Sequence, residues 1–84
     1  MNISGVVVRA YPDRIAAVRG QLEKLPGVEV HGANPDGRLV VTVEQDGDHA
    51  MADAVVRMQD LPGVLSASMI YHQFEEDPDS EETL

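Results

Sequence analysis

Hydrophobic positions along this chain follow two rhythms, period two and period three to four, and the switches between them mark six elements. Ile3 to Ala10 is a β-branched run with no breaker after Gly5 and reads as a buried strand. Pro12 suits the first position of a helix, where its missing N–H is no loss, and Asp13 adds a carboxylate at the positive end of the helix dipole. Ile15, Val18, Leu22 and Leu25 then recur at spacings of three and four, giving one apolar stripe. Gly20 weakens this helix by about 1 kcal/mol relative to alanine. Pro26 stops it, and Gly27 supplies a permissive turn.

Val28 to Ala33 is a shorter strand that alternates Val-Glu-Val-His. In Asn34-Pro35-Asp36-Gly37 the asparagine comes first, proline second and glycine last, as a type I turn prefers. The third strand, Arg38 to Glu44, places Leu39, Val41 and Val43 on one face and Arg38, Val40, Thr42 and Glu44 on the other. The turn between two alternating runs makes a hairpin. After the polar stretch 45–48, where Asp46 or Asp48 is expected to cap a helix, Met51, Val55 and Met58 form a second apolar stripe with Ala54 and Leu61. Pro62-Gly63 ends that helix, and Val64 to Phe74 is the last strand.

The segment Leu25-Pro26-Gly27-Val28 recurs as Leu61-Pro62-Gly63-Val64, so a helix, stop and strand unit occurs twice. The order β-α-β-β-α-β is two split βαβ units, the ferredoxin-like arrangement. Right-handed crossovers give an α+β sandwich: a four-stranded antiparallel sheet of order 4-1-3-2 with both helices on one face. The expected helix-side core is Val6, Val8, Val28, Val30, Leu39, Val41, Val43, Leu65, Ala67, Met69 and Tyr71. The domain is expected to span residues 1–74, with 75–84 a disordered acidic tail.

Charge and composition narrow the function. Six basic and fifteen acidic residues give a formal charge of −9, and six of the acids lie in the last ten residues. Such a balance argues against nucleic-acid binding, which needs a basic surface. It suits a basic partner. There is no cysteine, hence no disulfide, thiolate metal site or cysteine nucleophile. The N-terminal apolar run is broken at Arg9 and lacks a basic flank, so neither a signal peptide nor a membrane span is expected, and the cytoplasm is the expected location.

The sheet face away from the helices has no cover. It is expected to carry Gly5, Val7 and Arg9, then Glu29 and His31, then Val40, Thr42 and Glu44, and finally Ser66, Ser68, Ile70 and His72. Half apolar and mostly small, this face reads as a contact surface, for a second copy in a weak homodimer or for a foreign amphipathic helix. Catalytic constellations are missing. His31 and His72 fall on opposite edge strands and cannot share a metal, and Ser66 and Ser68 lack histidine and aspartate partners. The reading is a non-enzyme without cofactor. A metabolite-binding regulatory module of the ACT type, closed by dimerisation, is the alternative.

One further pattern joins these pieces. Gly-Val-Val-Val-Arg-Ala (5–10), Leu-Pro-Gly (25–27), Arg-Leu-Val-Val-Thr-Val-Glu (38–44) and Gly-Val-Leu-Ser-Ala-Ser-Met-Ile-Tyr-His-Gln (63–73), with an acidic end, resemble the NapD family. Pro12 departs from it, standing where a helix-capping residue is common. The resemblance implies a cytoplasmic chaperone that binds the twin-arginine signal peptide of the periplasmic nitrate reductase catalytic subunit and restrains its export until maturation. It also implies that the sheet surface grips the peptide. On this chain Val7, Arg9, Val40, Thr42, Glu44, Ser68, Ile70 and His72 are the residues assigned to that contact.

Overall fold

Two prolines set the frame. In Leu25-Pro26-Gly27-Val28 the Val28 N–H donates to the Leu25 carbonyl at 3.2 Å, and Gly27 has φ +77. Leu61-Pro62-Gly63-Val64 repeats this with 3.1 Å and φ +91. Proline at the second position and a positive-φ glycine at the third are what a type II turn demands. Each glycine carbonyl is also taken up by a neighbouring segment. Gly27 accepts from Glu44 N–H at 2.8 Å, and Gly63 accepts from Tyr11 N–H at 3.1 Å.

The computed structural model describes residues 2–74, with side chains as far as Tyr71. The tail expected at 75–84 lies outside the described residues. The strands are β1 (Asn2–Ala10), β2 (Val28–Ala33), β3 (Arg38–Gln45) and β4 (Val64–Phe74), and the helices are α1 (Ile15–Glu23) and α2 (Asp48–Gln59). They form one antiparallel sheet of order β2-β3-β1-β4, the predicted topology.

Both helix starts differ in detail from expectation. Pro12–Arg14 forms a separate 3-10 turn ahead of α1. At α2, Gly47 stands at the N-cap with φ +90 and makes no side-chain cap bond. Asp48 is the first helical residue, and its Oδ1 accepts from Asn2 Nδ2 at 3.2 Å, tying the buried start of β1 to α2.

One side of the sheet supplies the core. Val6, Val8 and Ala10, then Leu39, Val41 and Val43, and Ala67 from β4 are buried against Val18 and Leu22 of α1 and Met51, Ala54 and Met58 of α2. Val28 and Val30 are partly buried at its margin. The Gln59 amide of α2 donates to the Ala67 carbonyl at 3.0 Å and holds the helix to the edge strand. Three expected core residues are not in the core, since Leu65, Met69 and Tyr71 are 56%, 44% and 48% exposed.

The cause lies in the register of β4. Gly5 pairs with Tyr71 but Val6 pairs with Met69, so Ile70 is an extra residue. Arg9 pairs with Ser66 and Ala10 with Val64, so Leu65 is another. A single inserted residue reverses the facing of everything beyond it. Tyr71 therefore shares the face of Gly5, away from the helices. Met69 keeps the helix side opposite Val6, yet stays exposed because β4 is an edge strand.

Candidate functional site

The open face can be written as four cross-strand rows. Glu44 and Ile3 form the first; Glu29, Thr42, Gly5 and Tyr71 form the second. The third runs Gly32, Val40, Val7 and Ser68, and the fourth is Arg38, Arg9 and Ser66. Acidic side chains occupy one end, a pair of arginines the other, and small or branched residues the middle.

The middle is shallow for a physical reason. Gly5, Gly32 and Ser68 contribute little side chain, while Val7 and Thr42 are half-buried and Val40 is 41% exposed. At Gly5 the floor is capped by a neighbour: a Cβ there would overlap the Tyr71 ring. At the other edge, a bulge at His31 lets Gly32 rather than His31 pair with Val40. The His31 ring meets Thr42 with Nε2 and Oγ1 2.7 Å apart, which fixes the threonine hydroxyl on this face.

The charged ends differ in how they are held. Arg9 and Arg38 oppose one another directly across β1 and β3, a repulsive placement. With its amide turned so that the oxygen faces the guanidinium, Asn34 accepts from Arg38 Nη2 at 3.1 Å and Nε at 3.3 Å. No carboxylate among the described residues forms an ion pair with either arginine; Arg19 with Glu23, at 3.6 Å along α1, is a separate pair. At the acidic end, Glu29 and Glu44 are both exposed.

The residues assigned from the sequence are thus only partly gathered. Val7, Val40 and Ser68 share one row, with Thr42 in the adjoining row and Glu44 beyond it. Arg9 stands at the opposite end of the face from Glu44. Ile70 is the unpaired bulge residue, 57% exposed. Position 72 pairs with Ser4, whose own side chain is buried in the helix layer, because the bulge has changed the phase. The His72 side chain itself lies outside the described residues. Sequence reasoning missed Ile3 and Tyr71 on this face, and it left Arg38 out of the contact although it set Arg38 on the same side of β3 as Val40, Thr42 and Glu44. For Arg38 the alternation of β3 was signal enough; for Tyr71 the only signal was the break in alternation at Met69-Ile70-Tyr71, three apolar residues in a row after the alternating Leu65-Ser-Ala-Ser-Met69.

Comparison with known proteins gives a consistent result. The model of the family described as NapD protein matches residues 1–76. Chaperone NapD of Escherichia coli (strain K12) is 35% identical over 76 residues, which cover 89% of this chain and 87% of that protein. The solution structure of the E. coli Tat proofreading chaperone protein NapD superposes with a TM-score of 0.79, covering 88% of this chain and 79% of that one at 35% identity. A crystal structure of a Thermus thermophilus protein gives a TM-score of 0.76 at 26% identity, over 93% of this chain and 99% of the other.

Proposed function

This chain belongs to the NapD family of chaperones, and we propose from that premise that it binds the twin-arginine signal peptide of a periplasmic nitrate reductase catalytic subunit on its open sheet face. Binding there would restrain export until the subunit is mature, in the cytoplasm and without catalysis by the chaperone. The observation that carries the reading is the face itself. The helix layer covers one side of the sheet, while the other presents Val7 and Val40 between charged ends. The solved relative is a Tat proofreading chaperone, which lends the partner class.

Magnitudes indicate what such a face can and cannot do. Val40, Ile70 and Tyr71 are each about half exposed, so covering each contributes on the order of 1 kcal/mol. Three such contributions alone correspond to binding weaker than about 1 mM. An apolar helix without charge is therefore a poor ligand. A peptide that combines an apolar helix with a basic pair adds electrostatic attraction to a chain of charge −9. Twin-arginine signal peptides have that composition.

Calorimetric titration tests this. A nitrate reductase signal peptide is expected to bind, and the same peptide with both arginines replaced by glutamine is expected to bind much more weakly. Equal heats for the two peptides, or none for either while both remain soluble, would remove the proposal.

A further inference from the structure

Resting on the reading that a twin-arginine signal peptide occupies the open face, we propose that this face also fixes which way round the peptide lies. Its arginine pair sits at the end bearing Glu29 and Glu44, its helix runs in the direction of β1, and its C-terminal end lies over Arg9 and Arg38. Glu29 becomes a recognition residue, and the arginine pair of the face acquires a task.

Two independent electrostatic arguments agree on this direction. The first concerns side chains. Glu29 pairs with Thr42, and Glu44 is two residues further along the same face of β3, so the two residues are diagonal neighbours about 7–8 Å apart, with their Cβ atoms somewhat closer. That separation lets two adjacent guanidinium groups each meet a carboxylate. The reverse orientation would set the peptide's arginines against Arg9 and Arg38, and like charges brought together cost affinity.

The second concerns the peptide backbone. A helix carries roughly half a negative charge at its C-terminal end. Arg9 and Arg38 are two exposed cations held opposite one another with no carboxylate pairing either among the described residues. Unpaired helix carbonyls are a fitting partner for them.

The dimensions match. From Glu44 to Arg38 is six residues of β3, about 20 Å. About 13 residues of α-helix, between three and four turns, span that distance. An apolar helix of this length covers Val7 and Val40 on the way.

The test uses the full-length chain, 15N-labelled, and a synthetic peptide with two consecutive arginines ahead of an apolar helical segment. A nitroxide is placed at one peptide end or the other. An N-terminal label is expected to broaden the amides of Ile3, Thr42 and Glu44 most strongly, and a C-terminal label those of Arg9, Arg38 and Ser66. In parallel, E29K/E44K is expected to weaken the arginine peptide about tenfold at low salt and a diglutamine version by no more than about twofold.

The opposite broadening pattern, or equal broadening of both ends by both labels, overturns the orientation but leaves the face as the binding site. Broadening confined to α1 and α2, or absence of binding, removes the proposed function and this inference with it. Self-association that the peptide does not displace assigns the face to a second copy, with the same consequence.

Discussion

The Tyr71 ring lies over Gly5 on the side of the sheet away from the helices, because β4 carries Ile70 as one residue too many for its partner strand. The aromatic ring covers backbone that glycine would leave exposed, a known remedy for glycine in sheets. The same displacement takes tyrosine out of the core and adds it to the face proposed to bind peptide. A bulge in an edge strand thus sets the composition of the functional surface.

Deleting Ile70 tests that relationship. It should return β4 to simple alternation with Met69 still opposite Val6, and so leave the tyrosine opposite Gly5 on the open face. The expected sign is a ring-current shift on the Gly5 Hα protons that persists in the proton NMR spectrum of the deletion variant. Loss of that shift, with the ring moved to the helix side, would contradict the assignment of Ile70 as the extra residue.

Filling the space under the ring should also be felt. Gly5→Val is expected to destabilise the fold by about 1–3 kcal/mol, as overpacking does. In a domain of this size that lowers Tm by roughly 4–8 °C for each kcal/mol. Tyr71→Ala in the same chain should restore part of the loss, since the clash is with that ring. No recovery in the double variant would place the strain elsewhere.

The two repeated turns are predicted to differ in tolerance. Gly27 and Gly63 both hold positive φ, so alanine costs about 1–2 kcal/mol at either. At Gly27 the added methyl would also overlap the Glu44 carbonyl, a backbone atom in β3. At Gly63 it would come to 3.1 Å from Arg14 Cβ and 3.2 Å from Val18 Cγ2, side-chain atoms able to move slightly. Thermal melts should therefore rank Gly27→Ala below Gly63→Ala, and the reverse order would contradict this account of the turns.

Core and surface valines and leucines should separate cleanly. Leu22 is fully buried beneath the sheet, so Leu22→Ala is expected to cost about 2–5 kcal/mol. Val56, at 52% exposed on α2, should change by no more than about 0.5 kcal/mol on replacement with alanine. Denaturant midpoints would measure both.

These particulars show where sequence reading succeeds. The starts of β2 and β4 are legible because Pro26-Gly27 and Pro62-Gly63 can do little else locally, and the β2–β3 hairpin because Asn34-Pro35-Asp36-Gly37 closes with Gly37 N–H donating to the Asn34 carbonyl at 3.0 Å. Strands β1 and β3 keep strict alternation, which places Val7 and Val40 on the open face and Val6, Val8, Leu39, Val41 and Val43 in the core. Strand β4 is misread at Leu65 and again beyond Met69. Leu65-Ser-Ala-Ser-Met69 alternates, and the apolar run Met69-Ile70-Tyr71 that follows does not say which of its members is the inserted one. The start of α2 is obscured for a related reason: Asp46 and Asp48 both suit a cap by type, and Gly47 between them takes the position with a backbone angle open to glycine.

The polar rows of the face follow the same division. Alternation alone finds Glu44 and Arg9, and their separation at opposite ends follows from antiparallel pairing. It also places Glu29 on the face without singling it out, because its significance rests on the diagonal to Glu44 that only the β2–β3 register supplies.

The most direct test of the central claim is an amide chemical-shift map of the 15N-labelled protein titrated with a nitrate reductase twin-arginine signal peptide. The account predicts that the largest changes fall on Val7, Val40, Thr42 and Ser68, across β1, β3 and β4, while Val18, Leu22 and Met51 in the helix layer stay nearly fixed. Changes concentrated on α1 and α2, with the open face silent, would contradict it.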